Sequence, residues 1–230
     1  MAEDPGGRPP LTGPAVGVDG CRGGWQCAWR EGDAWRLRRL ATFEEVLAAF
    51  PEDAGLAVDM PIGLPDRGFR ECDLLARRLL GRSGGRVFLA PPRPCLSART
   101  PAEFQEIHRR LTGKGAGVPV WRIVPPIAEL DRLLGPELHA RVFEAHPELA
   151  FQALAGVALP SKHTSEGLVA RRRVLGLEPD GPPAGHDELD AMVLSLTARL
   201  FSAGRAKTLP DQPPVDAAGK PMRIVVPIRP

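Results

Sequence analysis

The sequence has no long apolar segment and no closely paired cysteines. No run in its 230 residues approaches the roughly 20 apolar residues that a membrane-spanning helix requires, so we expect no membrane partner. Residues 1–14, MAEDPGGRPPLTGP, lack the basic and apolar parts of a signal peptide and are predicted to form a flexible tail. None of the four cysteines lies in a CxxC pair, which favours a reduced, cytoplasmic protein without a zinc site.

Charge is unevenly spread along the chain. The overall balance is only +2, but residues 61–115 hold 11 Lys or Arg against 5 Asp or Glu, whereas residues 1–60 hold 6 against 10. A basic segment in an acidic body suits a protein that grips a polyanion around a metal site; a solvated, arginine-rich helical face is the alternative. The basic residues expected to contact phosphate are Arg77, Arg78, Arg82, Arg86, Arg109, Arg110 and Lys114.

Short strands dominate the first quarter of the chain. Three strands are predicted there, at 15–19, 24–31 and 34–41. A helix follows, opened by a capping box of Thr42 and Glu45. The next strand, 56–58, is apolar like the first and also ends in an aspartate, Asp59.

The rest of the chain is mainly helical. Residues 61–140 are predicted to form a helical insertion, followed by a strand at 141–145 and further helices. The last long helix, HDELDAMVLSLTARLF, has a clear apolar stripe. The main domain is therefore predicted to span 15–204. Residues 205–230 form a proline-rich extension in which MRIVVPI can add a strand.

The order of these elements predicts an α/β fold with a mixed sheet. An antiparallel three-strand meander precedes two strands that are reached through helical crossovers. Right-handed crossovers place the fourth strand beside the first and parallel to it. Asp19 and Asp59 then end neighbouring parallel strands and share one rim of the sheet, where ligands bind in open α/β folds.

Several acids occupy positions that are locally unfavourable for an acid. Asp19 and Asp59 end apolar strands, Glu144 interrupts one, and Asp190 borders the apolar stripe of the last helix, with Asp187 on the same side. Clustered carboxylates repel each other unless a cation joins them, and hard oxygen ligands suit Mg²⁺ or Mn²⁺. Two such ions about 4 Å apart clamp the attacking and leaving oxygens of a phosphodiester. We therefore predict a two-ion site, with the glycines around the first aspartate letting a phosphate backbone approach.

Each acid also has a structural alternative. The two aspartates at strand ends can cap turns through their side chains. Glu144 can pair with Arg141 or be exposed on an edge strand. Asp187 can be the N-cap of the last helix, with Asp190 at the N3 position, because a helix N-terminus favours negative charge.

Six segments carry a family resemblance: VGVDGCRGGW, AVDMPIGLP, CDLLARRLLG, FEAHPELAF, SKHTSEGL and DELDA. In this order they resemble a bacterial and archaeal family of predicted ribonuclease H-like nucleases that is catalogued as a domain of unknown function. The resemblance runs from about residue 15 to the C-terminus. It implies a ribonuclease H-like fold with a helical insertion between the fourth and fifth strands.

The last segment, read as HDELDA, is also similar to the last-helix motif of Holliday-junction resolvases, in which two aspartates three apart serve the metals. By these likenesses the catalytic and metal-binding acids are Asp19, Asp59, Glu144 and Asp190, with Asp187 as a further metal ligand. Family members often carry a lysine in a Pro-Lys-Ile segment. Here that place holds Pro126, so any substrate contact made by that lysine is absent.

Other polar residues near these segments are candidates for substrate contact: Arg22, Arg109, Arg110, His146 and Lys162. Arg22 can bind phosphate or balance nearby acids, and Lys162 can contact phosphate or be a solvated loop lysine. His146 can move a proton or bind metal, although a histidine before Pro147 is more often structural.

The favoured interpretation is a metal-dependent nuclease that hydrolyses DNA or RNA with two Mg²⁺ or Mn²⁺ ions. The alternative is a non-catalytic nucleic-acid- or protein-binding module of the same fold, whose acids hold a structural ion or none. An actin-like ATPase or sugar kinase also begins with an aspartate-glycine strand turn, but it needs a second such domain, and we see no second glycine-rich phosphate loop. We expect nucleic acid as the partner and consider a homodimer compatible with the sequence.

Overall fold

The structure is a computed structural model that describes residues 11–179 and 184–229. Its centre is a sheet of five strands: β1 (Ala15–Cys21), β2 (Gly24–Glu31), β3 (Ala34–Leu40), β4 (Gly55–Asp59) and β5 (Val142–Glu144). They lie in the order β3-β2-β1-β4-β5, with an antiparallel meander of β1 to β3 and parallel pairing of β1, β4 and β5. The predicted mixed sheet is confirmed, and it is consistent with a ribonuclease H-like fold.

Helices cover both faces of this sheet. They are α1 (Phe43–Ala49), α2 (Glu71–Leu80), α3 (Pro101–Thr112), α4 (Val118–Arg122), α5 (Val124–Leu133), α6 (Pro147–Ala155), α7 (Ser165–Val174) and α8 (His186–Ser202). The helices α2 to α5, with three short 3-10 segments, form the predicted helical insertion between β4 and β5. Among the helices of the described residues, none has the length and apolar character needed to cross a bilayer.

Side-chain alternation along the parallel strands divides the core into two layers. Val18 and Val58 point to a layer that includes residues of α1 and α5. Ala57 and Phe143 point to the opposite layer, which is built around α8. Because successive side chains of a strand point to opposite faces, every residue of β1, β4 and β5 can be assigned to one layer.

The chain before β1 and the chain after α8 both pack on the main body. Residues 1–10 of the predicted tail lie outside the described residues. The Thr12 hydroxyl donates to Asp53 at 2.8 Å, and Gly55 N–H donates to the Pro14 carbonyl at 3.1 Å. In the proline-rich extension, β6 (Ala206–Leu209) pairs with β7 (Ile224–Pro227), which is the strand predicted in MRIVVPI. Val225 of this hairpin joins the core layer of α8.

Most helix starts follow the sequence signals, and one differs. Thr42 accepts the N–H of Glu45 at 3.2 Å, as its capping box predicts. The prediction that Asp187 is the N-cap of the last helix is wrong. The N-cap is Gly185, whose N–H donates to the Glu188 carboxylate at 2.8 Å, so Asp187 lies exposed in the first turn. Glycine can serve as an N-cap, and here Glu188 supplies the carboxylate of the cap.

Candidate functional site

Strand pairing places Asp19 and Asp59 side by side. The parallel register of β1 and β4 ends with these two residues as direct partners, and neighbouring strands lie about 4.8 Å apart. Alternation directs both side chains to the layer of α8, because Val18 and Val58 face the other way. The two carboxyl groups contact each other closely enough to form a hydrogen bond. The predicted pairing of the strand-end aspartates is therefore present in the structure.

Helix α8 comes unusually close to β1, and this brings Asp190 to the pair. A side chain at Gly17 would have its Cβ only 1.9 Å from the Ala191 carbonyl oxygen, so only glycine fits at this point of β1. Asp190, one residue earlier on α8, is 4% exposed and accepts a hydrogen bond from Lys162 Nζ at 2.7 Å. Gly17 thus serves helix packing, whereas Gly20 borders the cleft beside Asp19.

The acids of this group are poorly compensated. Burial raises the pKa of Asp19 well above its usual value, and the charges of Asp59, Asp190 and Asp187 raise it further. Burial also raises the pKa of Asp59; His146 and Lys162 oppose this, and Asp190 adds to it. The pKa of Asp190 is raised by burial although Lys162 lowers it. Two neighbouring carboxyl groups of this kind share a proton unless a cation replaces it.

A cleft of about 240 Å³ opens over these acids at the end of the sheet. A second hollow of about 280 Å³ adjoins it and shares Asp59, His146, Lys162 and Asp190 with it. Other residues that line the cleft are Gly20, Met60, Pro61, Arg86, Val87, Phe88, Ile123, Glu144, Asp187 and Ile224. Asp187 is exposed at its rim.

Glu144 lines the cleft but belongs to the other face of the sheet. Its partner across the register is Val58, and β5 continues to Ala145, whose N–H bonds the Val58 carbonyl. Alternation therefore sends the Glu144 side chain into the layer opposite Asp19. Because Glu144 pairs with Val58 and not with Asp59, it lies one residue earlier in the strand register than the strand-end pair.

A buried arginine holds Glu144 on that side. Arg70, 2% exposed, donates to both Glu144 oxygens at 2.6 and 2.8 Å and also pairs with Asp73. The Ile62 N–H donates to Glu144 at 2.8 Å. Burial raises the pKa of Glu144 to about 7, although Arg70 works against this rise.

This pairing answers the structural alternatives considered for Glu144. The predicted partner Arg141 is wrong: it donates to the Pro51 carbonyl at 2.7 Å instead. Glu144 is also not exposed on an edge strand, since only 6% of its surface is accessible.

The remaining predicted contact residues separate into two groups. His146 and Lys162 line the cleft. His146 is also the N-cap of α6, where its Nδ1 accepts the Glu148 N–H at 3.2 Å, so the structural role anticipated for it is present as well. Arg22 is exposed in the β1–β2 turn, and Arg109 and Arg110 are exposed on the last turn of α3. These three arginines do not line the cleft.

Of the basic residues predicted in the insertion, Arg86 alone lines the cleft. It pairs with Glu148 at 2.8 Å, and Arg171 binds the same carboxylate through both of its oxygens. Arg77 has a structural role, because its Nε donates to the Val87 carbonyl at 2.8 Å.

Two important residues were not found from the sequence. Arg70 carries no signal of burial, since an arginine in RGFRECD is ordinarily solvated and its acid partner is distant in sequence. In the sequence, Phe88 lies between an arginine- and glycine-containing segment and a proline-rich segment. An aromatic residue isolated in this way was the signal from which a functional role could have been predicted.

The side chains fit a divalent cation in part. Among the residues that the structure describes, no group of three or more His, Cys, Asp and Glu is arranged to hold a metal ion. Asp19 and Asp59 offer two adjoining carboxylates, and Asp190 would add a third after separating from Lys162. This donor set consists of hard oxygens, which suits Mg²⁺ or Mn²⁺.

Comparison with known proteins identifies the family of the chain. No curated protein and no solved structure matched it. A family model described as "Protein of unknown function (DUF429)" matches residues 17–215, a stretch that includes the acids of the cleft and the whole helical insertion. The match extends over most of the chain, and the protein therefore belongs to the DUF429 family.

Proposed function

We propose that this protein is a metal-dependent nuclease that hydrolyses phosphodiester bonds in the cleft over Asp19 and Asp59. The observation that carries the proposal is the in-register pair of Asp19, which is buried, and Asp59, which is half-buried, both with raised pKa values and joined by a third aspartate from α8. Such a group is unfavourable for the fold alone, since buried charges are ordinarily paired. A divalent cation would supply the missing positive charge.

The carboxylates would hold the cation by exchanging the proton they share. Asp19 and Asp59 would be the residues that hold the cation. When bound, Mg²⁺ or Mn²⁺ would polarise the phosphate and lower the pKa of a bound water. The two-ion arrangement expected from the sequence also requires Asp190 as a ligand, because the pair at the strand ends offers too few oxygens for two ions.

Lys162 is the residue that links substrate to this site. Burial lowers the pKa of Lys162, but Asp190, Asp19 and Asp59 together raise it above the usual value, so the ammonium group stays charged. It is one-third exposed and can transfer its contact from Asp190 to an incoming phosphate. That exchange would free Asp190 for the cation.

His146 can donate a hydrogen bond in this cleft. Its Nδ1 accepts a backbone N–H, so the neutral ring carries its proton on Nε2. The ring lines the cleft together with Asp59. In the proposed reaction the His146 Nε2–H donates a hydrogen bond to a phosphate oxygen.

One observation favours a second candidate function. The Lys162–Asp190 ion pair already neutralises one acid without a cation, and the cleft can then bind phosphate through Lys162 and Arg86 without cleaving it. This is a non-catalytic nucleic-acid-binding module of the same fold. In either case the four cysteines are free of disulfides, which agrees with a cytoplasmic location.

Two measurements test the proposal. Mn²⁺ titrated calorimetrically into the wild-type protein should bind, whereas Asp19→Asn should bind at least about 10-fold more weakly. Asp33→Asn, at an exposed hairpin position away from the cleft, is the matched control and should bind like the wild type. Cleavage is then screened with Mn²⁺ and Mg²⁺ on single-stranded, duplex, hybrid and branched substrates. Metal binding without cleavage of any substrate would support the binding module and contradict the nuclease.

A further inference from the structure

The chain exposes one aromatic ring, and that ring stands at the cleft. It has eight Phe, four Trp and no Tyr, and all twelve lie within the described residues. Eleven are buried or half-buried, whereas Phe88 is 42% exposed. Phe88 lines both the cleft over the acids and the hollow beside it. An exposed Phe loses the stabilisation that burial would give it, and a ligand in the cleft would restore that stabilisation by covering the ring.

The backbone holds Phe88 in a fixed place. The preceding Val87 is buried, donates its N–H to the Gly84 carbonyl at 3.1 Å and accepts from Arg77 at 2.8 Å. Beyond Phe88, the Ala90 N–H donates to Asp73 at 2.8 Å. Anchors on both sides fix the backbone from which the ring projects. A ring with a fixed backbone loses less entropy on binding than a mobile one does.

The charges around the ring suit a nucleotide. Arg86, next but one along the chain, and Lys162 are the cations among the residues that line the two hollows. Arg86 pairs with Glu148 and Lys162 with Asp190, and each can exchange its acid for a phosphate while Phe88 contacts an apolar ring. A nucleobase offers such a face regardless of its sequence, and stacking on an aromatic side chain contributes about 1–3 kcal/mol per base.

We infer that Phe88 is a base-stacking residue and that the substrate is single-stranded nucleic acid, or an unpaired nucleotide at an end, a loop or a branch. The inference rests on the proposed function and names its substrate class. Bases in a duplex are stacked on each other, so Phe88 can reach a base face only after that base has left the stack. The two hollows, of about 240 and 280 Å³, adjoin each other beside the acids, and Phe88 lines both.

Binding measured in chelator tests this inference without cleavage. Fluorescence anisotropy is recorded with a labelled single-stranded oligonucleotide and with the same strand in a duplex. Phe88→Ala should weaken single-strand binding about 5- to 150-fold, the equivalent of one stacked base, and change duplex binding less than about 2-fold. Phe88→Trp should bind at least as tightly as the wild type, and Phe88→Leu should lie between. Leu37→Ala, at a 39% exposed position on β3, is the control and should change nothing.

A series of oligonucleotides, each with one abasic site, then locates the stacked base. Removing that base should weaken wild-type binding as much as Phe88→Ala does, and the variant should lose nothing more on that oligonucleotide. Equal binding of Phe88→Ala and the wild type would overturn the inference. A wild type that binds no nucleic acid would also overturn it and would indicate that Phe88 contacts a protein partner. If stacking is found but no metal cleaves any strand, the nuclease proposal fails and this inference stands.

Discussion

Asp19 and Asp216 are almost equally buried, at 6% and 8% exposure, yet their pKa values are shifted in opposite directions. Asp216 accepts the backbone N–H groups of Leu64, Ala218 and Lys220 at 2.8–2.9 Å and pairs with Arg93. Burial alone would raise its pKa, but these contacts together lower it. Burial raises the pKa of Asp19, and its acid neighbours raise it further. The difference shows that this chain can compensate a buried acid and has left the strand-end pair uncompensated.

Glu144 has a basic partner like Asp216, although burial still raises its pKa to about 7. Arg70 binds both of its oxygens, and Arg70 and Asp73 complete a buried network on the far side of the sheet. We therefore separate the acids of the cleft into an uncompensated pair, Asp19 and Asp59, and two acids that have a basic partner, Asp190 with Lys162 and Glu144 with Arg70. The predictions that follow test this separation.

The largest expected effect is on cleavage. Asp59→Asn should lower the rate of metal-dependent hydrolysis about 10²- to 10³-fold, because it removes a charge that holds the cation at the reacting phosphate. Glu144→Gln should lower it less than about 10-fold, since its carboxylate is engaged by Arg70. The rates are compared under single-turnover conditions after circular dichroism has shown that both variants are folded. Equal losses of hydrolysis rate in the two variants would show that Glu144 and Asp59 contribute equally to cleavage.

The next effect is on stability with and without metal. In chelator, Asp59→Asn should be as stable as the wild type or slightly more so, because it removes repulsion. Asp216→Asn should lose about 1–3 kcal/mol, because its new amide N–H₂ meets buried donors. Mn²⁺ at about 100 times its dissociation constant should stabilise the wild type and Asp216→Asn by roughly 2.7 kcal/mol but not Asp59→Asn. Thermal melts decide this, and an equal Mn²⁺ response of all three proteins would remove Asp59 from the metal site.

A smaller effect concerns pH. The pKa values of Asp19, Asp59 and Asp190 are raised, so the folded state holds more protons than the unfolded state above about pH 4. This contribution to stability is complete below the unfolded pKa values and is lost as pH rises through the folded ones. Without metal, the free energy of unfolding should therefore fall as pH rises above about 4.

The control for the pH experiment is the variant Asp19→Asn. Burial and the nearby Lys220 and Arg223 lower the pKa of His139, so His139 makes the free energy of unfolding rise with pH up to its usual pKa. Glu144, whose pKa is raised to about 7, makes the free energy of unfolding fall with pH up to about pH 7. Both groups remain in the variant, so the difference between its denaturant-derived pH profile and that of the wild type reports Asp19 together with Asp59, whose pKa depends on Asp19. A variant profile as steep as the wild-type profile would show that Asp19 does not titrate with a raised pKa.

The smallest effect concerns salt. Arg86→Ala should reduce the dependence of log K on log salt by about 0.7 for a single strand, the amount for one phosphate contact. The double variant Arg109→Ala/Arg110→Ala should leave the slope unchanged, because these side chains lie outside the cleft. Anisotropy titrations at several salt concentrations measure both. A flatter slope in the double variant would extend the binding surface onto α3.

Local sequence patterns were sufficient for most elements of the fold. The apolar runs of β1 and β4, the capping box at Thr42 and the apolar stripe of α8 each depend on residues within a few positions of one another. The adjacency of Asp19 and Asp59 needed one more rule, the right-handed crossover, which fixes the neighbour of β1 without any knowledge of side chains.

Longer-range contacts could not be predicted from the sequence where several partners were available. Arg70 lies 74 positions from Glu144, and many other arginines could have paired with that acid. The predicted start of α8 at His186 is confirmed, but its N-cap is Gly185 and not Asp187, because Glu188 can cap Gly185 and the sequence is equally compatible with both caps.

The sequence by itself determined that two apolar strands end in aspartates and that these ends meet at one rim of the sheet, because periodicity and crossover handedness are local or general properties of chains. Only the tertiary structure decided which acids remain without a counter-charge. That decision depends on the register of β5, which turns Glu144 to the face of Arg70, and on the close approach of α8 at Gly17, which brings Asp190 to Asp19. Charge compensation is a property of three-dimensional distance, since Coulomb energies depend on the separation and burial of groups and not on their order along the chain.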